Sequence, residues 1–150
     1  MIAIGSDHGG FELKEKIKKF FDQNNIKYHD YGTNSPDSVD FPDYAKLVCE
    51  SILDKECEKG ILICGTGIGM SIAANKFSGI NCALCSNIMG ARLSREHNNS
   101  NVLALGGRVL GEQLAIEIIE KWLNTSFLGG KYAQRNDLIK KIELQYLGGK

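Results

Sequence analysis

"KGILICGTGIGMSIAANK", residues 59–76, joins an unbroken apolar run to three glycines at alternate positions, Gly65, Gly67 and Gly69. The run suits a strand buried on both faces of a parallel sheet. The glycines suit a tight turn, and "GMSIAANK" begins a helix. Strand, glycine turn and helix in that order are the repeating unit of an open α/β sheet.

The same alternation continues on both sides. "MIAIG" is a short strand, and "FELKEKIKKFFDQN" sets Leu13, Ile17, Phe20 and Phe21 on one helical face. "IKYHDYG" predicts a second strand, and "DYAKLVCESILDK" carries Ala45, Val48, Cys49 and Ile52 as a helical stripe. Downstream, "GINCALC" and "NVLALGG" are strands separated by the helix-like "IMGARLSREH", and "EQLAIEIIEKWLN" and "RNDLIKKIELQYL" are helices. The expected fold is a Rossmann-like three-layer α/β sandwich with a five-stranded parallel sheet and a C-terminal helix. No linker or low-complexity segment interrupts it, so residues 1–150 form a single domain with a core of ordinary size.

Lys and Arg number 18 and Asp and Glu 18, a formal net charge of zero, and no basic run is interleaved with aromatics. Nucleic acid is therefore not an expected partner. No apolar stretch reaches the roughly 20 residues that span a bilayer, and "MIAIGSDHGG" lacks the pattern of a secretion signal. A soluble cytoplasmic protein without membrane contact is expected. Five cysteines, an odd number, argue for a reducing compartment rather than a disulfide framework. Cys82 and Cys85 form a C-x-x-C, but residues three apart on a strand face opposite ways, so the pair is expected to be structural.

Open parallel sheets bind ligands outside the carboxyl ends of their strands. Those ends carry Ser6-Asp7-His8-Gly9-Gly10, Gly32-Thr33, Cys64-Gly65-Thr66-Gly67, Ser86-Asn87 and Gly106-Gly107-Arg108. "GTGIG" is not a dinucleotide fingerprint: it is G-x-G-x-G, follows the third strand, and no acidic residue ends the next strand. The sequence also lacks the G-K-[ST] of a P-loop. Two readings remain for the glycines, an anion cradle of backbone N–H groups at a helix start or a turn without ligand. Cys64 favours the cradle, because a thiol beside a helix N-terminus can serve as a base near neutral pH. Asp7 and His8 share that rim, although an Asp-His pair alone could simply cap a helix.

Together, "GSDHGG", "ICGTGIGMSIAANK" and "SREHNNSNVLALGGRVLG" closely resemble the type B ribose-5-phosphate isomerases, within a family that includes galactose-6-phosphate and allose-6-phosphate isomerases. The likeness runs nearly end to end. It implies interconversion of ribose 5-phosphate and ribulose 5-phosphate by ring opening and enediolate proton transfer, without metal or organic cofactor. It implies Cys64 as the base at carbon, with Gly65, Thr66, Gly67, Ile68 and Gly69 as an anion hole and Thr66 as a hydroxyl shuttle. His97 corresponds to the ring-opening acid/base and Asn98 to an oxygen ligand. Asp7 would contact the sugar hydroxyls and assist ring opening, with Tyr44 in the substrate pocket and His8 and Arg108 near the phosphate. Family members usually carry two arginines four apart as phosphate ligands at the start of the last helix. Here they are Lys131 and Arg135, and lysine binds phosphate as a point charge. Phe41 stands where some relatives carry tyrosine, and His29 matches no functional position.

A six-carbon sugar phosphate isomerase would use the same catalytic residues, and a non-catalytic phosphosugar sensor would need neither Cys64 nor His97. Cys64 follows a strand whereas His97 precedes one, which sets them at opposite rims of the sheet. A site using both must be shared between subunits, and the resemblance likewise implies a homodimer, with a dimer of dimers as a further step.

Overall fold

The computed structural model describes residues 1–146. Among the described residues five strands alternate with five helices and a sixth helix follows: β1 (Ile2–Ser6), α1 (Phe11–Gln23), β2 (Tyr28–Asp30), α2 (Phe41–Leu53), β3 (Lys59–Cys64), α3 (Ile68–Ala74), β4 (Cys82–Leu84), α4 (Ile88–Glu96), β5 (Val102–Gly106), α5 (Glu112–Leu123) and α6 (Lys131–Tyr146). The sheet is wholly parallel in the order β2-β1-β3-β5-β4. The expected three-layer architecture is present.

The apolar runs explain the order. Ile61, Leu62, Ile63 and Val102 to Leu105 are fully buried, as central strands covered on both faces must be. On one face Leu13, Ile17 and Phe21 of α1, Ala91 of α4 and Ile118, Ile119 and Trp122 of α5 form a continuous core. On the other, Ala45, Val48 and Cys49 of α2 and Met70 and Ala74 of α3 form a second. Cys82 packs with the second core and Cys85 with the first, and all five cysteines are free. Burial raises both thiols of that C-x-x-C above the ordinary cysteine range.

Two elements depart from the sequence reading. β2 and β4 have three residues each, shorter than the apolar runs suggest, because each is an edge strand with one neighbour. The last helix begins at Lys131, four residues before the expected start at Arg135. Its first turn is mostly polar and no residue of α6 is buried, so no hydrophobic period marks where it begins. Leu147, the expected last residue of that helix, lies outside the described residues.

One ion pair locks the frame. Lys14 of α1 is completely buried, and its Nζ donates to both oxygens of Asp30 at 2.7 Å. Lys18 Nζ approaches the same carboxylate at 2.8 Å, and Gly32 N–H donates to Asp30 Oδ1 at 2.9 Å. Burial alone would raise the Asp30 carboxyl, but the hydrogen bonds from Lys14, Lys18 and Gly32 outweigh it and hold the group below its ordinary value. The chain beyond β2 is thereby fixed against β1, where Ser6 N–H donates to Gly32 O at 2.7 Å.

Candidate active site

The predicted site residues form two clusters. The first occupies the carboxyl ends of β1, β3 and β5. Cys64 ends β3 nearly buried, and its Sγ accepts the Gly67 N–H at 3.2 Å. Gly67 adopts φ +80°, and a Cβ there would lie 2.6 Å from Leu84 and 2.9 Å from the Leu105 backbone, so both conformation and space demand glycine. Thr66 is exposed, and its Oγ1 accepts the Ile68 N–H at 3.2 Å. The next two amides of the first turn, Gly69 and Met70, have no acceptor among the described residues.

Adjacent loops close around this turn. Asp7 is buried, with Oδ1 accepting from Gly9 N–H at 2.8 Å and Gly10 N–H at 3.1 Å. His8 Nδ1 accepts the Val39 N–H at 3.2 Å, which leaves the ring proton on Nε2. After β5, Gly107 N–H donates to Cys64 O at 2.8 Å and Arg108 N–H to Gly65 O at 2.9 Å. The Arg108 guanidinium lies over Gly65, its Nη1 3.3 Å from where a Cβ would stand. Phe41 covers Gly69 and Tyr44 covers Gly32, each with ring carbon 2.8 Å from the position a Cβ would take. Asp7, His8, Phe41, Cys64 to Gly69 and Arg108 thus gather around one rim, with Tyr44 of α2 beside it, packed over Gly32.

The second cluster lies at the other rim. His97 caps the carboxyl end of α4, and its imidazole stacks on Tyr132 with ring centroids 4.1 Å apart at 11°. Asn136 Nδ2 donates to His97 O at 3.2 Å. Lys131 Nζ stands 5.2 Å and Arg135 Cζ 5.6 Å from the Tyr132 centroid, and Asn98 borders a recess of about 130 Å³ with Asn75, Asn81 and Asn136. Gly106 pairs with Cys64 at one end of the sheet, whereas Val102, just after the turn that holds His97, pairs with Gly60 at the other. Five residues of strand span roughly 16 Å, so one chain does not bring His97, Asn98, Lys131 and Arg135 to its own Cys64.

Tyr132, the hub of the second cluster, is absent from the sequence reading. A lone aromatic in a polar helical turn has no signature there. The Lys14–Asp30 pair was equally hidden, since Lys14 is one of four lysines in α1 and its burial follows only from the packing of α1 on the sheet. His29 is exposed on the edge strand β2 against Tyr31 and joins neither cluster. Among the described residues, no three His, Cys, Asp or Glu side chains stand together as metal ligands would.

A parallel sheet with a thiol and unpaired helix amides at one rim, and a histidine among cations at the other, is the equipment of an acid–base enzyme acting on an anionic substrate. Residues 2–139 match the model of the family described as Ribose/Galactose Isomerase, and the chain belongs to that family. It is 46% identical over 142 residues to ribose-5-phosphate isomerase B of Escherichia coli, covering 95% of each chain. A solved ribose-5-phosphate isomerase B of Clostridium thermocellum is 50% identical and superposes with a TM-score of 0.95, covering 97% of this chain and 98% of that one. A D-erythrulose-4-phosphate isomerase of Pectobacterium atrosepticum is 41% identical over 145 residues, 96% of this chain and 95% of that one.

Proposed function

We propose that the protein interconverts ribose 5-phosphate and ribulose 5-phosphate at a site assembled from two copies of the chain. The observation that carries this reading is the division of the catalytic groups between opposite rims of one sheet. Cys64, Thr66 and Asp7 lie at one rim and His97, Asn98, Lys131 and Arg135 at the other. A homodimer related by a two-fold axis unites one copy's carboxyl rim with its partner's amino rim, twice.

In this mechanism His97, with Asp7, moves the protons that open the furanose ring. The Cys64 thiolate then takes the proton from C2 of the open aldose and returns it to C1. Between those events the electrons rest on oxygen as an enediolate, stabilised by the amides of the Gly65–Gly69 turn. The Thr66 hydroxyl carries the proton between O1 and O2, Asn98 holds an oxygen, and Tyr44 walls the pocket. His8 donates from Nε2 and joins Arg108, Lys131 and Arg135 around the phosphate. A cytoplasmic location accords with this substrate and with five free thiols. The family's description spans ribose and galactose, so six-carbon phosphates belong in the same assay.

The test mixes Cys64→Ala with His97→Asn, each expected to lose at least about 100-fold on ribose 5-phosphate alone, and exchanges their subunits. Random exchange makes about half the dimers mixed, each with one intact site of two, so about a quarter of wild-type turnover should return. Mixed dimers that form and stay inactive would refute the shared site. Wild-type protein that turns over a six-carbon phosphate but not ribose 5-phosphate would refute the substrate.

A further inference from the structure

We propose that Tyr132 is the positioning residue of His97, and that its ring also ties the cations Lys131 and Arg135 to the imidazole it orients. The inference rests on the ring-opening role of His97 given above. His97 follows the last turn of α4, with φ −100° and ψ −37°, one residue before Asn98 and two before Asn99 at φ +49°. This turn is fastened through its backbone: Leu128 N–H donates to Glu96 O at 3.1 Å and Asn136 to His97 O. The Arg95 guanidinium bonds Asn99 Oδ1, Ser100 O and Thr125 O. None of these contacts restrains the imidazole itself, and among the described residues its ring nitrogens make no hydrogen bond. The face of Tyr132, at 4.1 Å and 11°, is what selects its rotamer.

The contact is made by the ring and not the hydroxyl, which has no partner among the described residues. Lys131 and Arg135 gather about the same ring at cation–π distance. One half-buried side chain therefore links the phosphate ligands to the ring-opening group. A phosphate drawn to Lys131 and Arg135 meets an imidazole already set at a fixed offset from them.

Two substrates separate positioning from general damage. Ribose 5-phosphate is cyclic and needs opening. Erythrose 4-phosphate cannot close a furanose, because the oxygen that would close it carries the phosphate. His97→Asn is the benchmark on this pair, and it should lower kcat on ribose 5-phosphate by about 100-fold or more while changing the tetrose less than about threefold. Tyr132→Ala should follow the same pattern more weakly, about tenfold on the pentose and less than about twofold on the tetrose, since a misplaced group loses part of its effect. KM should rise alike on both substrates as the cations lose their ring. Tyr132→Phe keeps the stack and should retain wild-type kcat on both. Equal kcat losses on the two substrates in Tyr132→Ala, or no loss on either, beside a selective His97→Asn would overturn the Tyr132 proposal alone. Equal losses in His97→Asn would overturn the ring-opening role on which it rests.

Discussion

Gly107→Ala isolates how closely the loops of the carboxyl rim must meet. Gly107 has no left-handed backbone to relieve, so the substitution acts through volume alone. Its new methyl would stand 2.6 Å from Gly9 O, 3.1 Å from Gly10 Cα and 3.5 Å from Cys64 O. Ordinary contact begins near 3.4 Å, so the Gly9 carbonyl and the Gly107 backbone must part by up to about 0.8 Å. Gly9 N–H is bonded to Asp7 Oδ1, and Gly107 N–H to Cys64 O, so the separation falls between Asp7 and Cys64. Overpacking of this kind costs about 1–3 kcal/mol of stability, a fall in Tm of about 2–10 °C for a chain of this size. Misplacement near 1 Å costs up to about 100-fold, so kcat on ribose 5-phosphate should fall at least about tenfold. Steady-state turnover and a thermal melt on the same preparation read both effects. Gly111→Ala is the control, with nothing within 4 Å of the added methyl and a cost under about 1 kcal/mol. A Gly107→Ala protein with the expected drop in Tm but wild-type kcat would refute the claim that catalysis depends on this spacing.

Cys64→Ala should lower turnover by at least about 10²–10⁴-fold with substrate affinity nearly unchanged, checked by titration of ribose 5-phosphate into the inactive protein. Thiol alkylation should inactivate the wild type, and bound sugar phosphate should slow it. Arg135→Ala should raise KM about tenfold or more through loss of a charge-assisted contact, whereas Lys131→Arg should be tolerated; an unchanged KM in Arg135→Ala would detach α6 from the phosphate. Asp30→Asn leaves Lys14 buried without its counter-charge and should destabilise by about 3–5 kcal/mol at neutral pH. Because the Asp30 carboxyl is held below its ordinary 3.8, its contribution is complete above that value and lost as pH falls through the folded one. Melts of wild type and Asp30→Asn should therefore converge at acid pH, and a gap that stayed constant from pH 7 to pH 2 would contradict the assignment.

The sheet was legible because its central strands are buried on both faces and so appear as unbroken runs, "GILIC" and "VLALG". The edge strands were overextended for the converse reason: with one neighbour each, their ends are not held in a ladder, and no residue type marks where pairing stops. Motif spacing located Cys64, Asp7 and the glycine turn because strand ends and helix starts are local features. The partners of those groups were not local. Val39 meets His8 across 31 residues, Phe41 meets Gly69 across 28, and Tyr132 meets His97 across 35, separations that only packing brings to contact.

α6 connects the fold to the function proposed for it. A helix of 16 residues without a buried side chain gains little from its own propensity, since isolated helices of that length are marginal in water. Leu138, Ile139, Ile142 and Leu144 are each more than half exposed along it. Burying four such side chains against a second copy would contribute several kcal/mol, at about 1.5–3 kcal/mol each before the cost of association. The order of the sheet shows why such a helix is useful. Loops after strands and loops before strands emerge at opposite rims, so no rearrangement of side chains within one chain can bring His97 to Cys64. An appended helix that belongs to neither layer is free to lie on a neighbour, and it carries Lys131 and Arg135 at its root beside His97. In the dimer proposed here, the apolar flank of α6 and the cations at its base would dock together, so truncating Leu138 and Ile142 to alanine should weaken dimerisation and raise KM in parallel. Sedimentation and turnover measured over a common dilution series check this, and a variant that is monomeric yet fully active would separate the helix from the site.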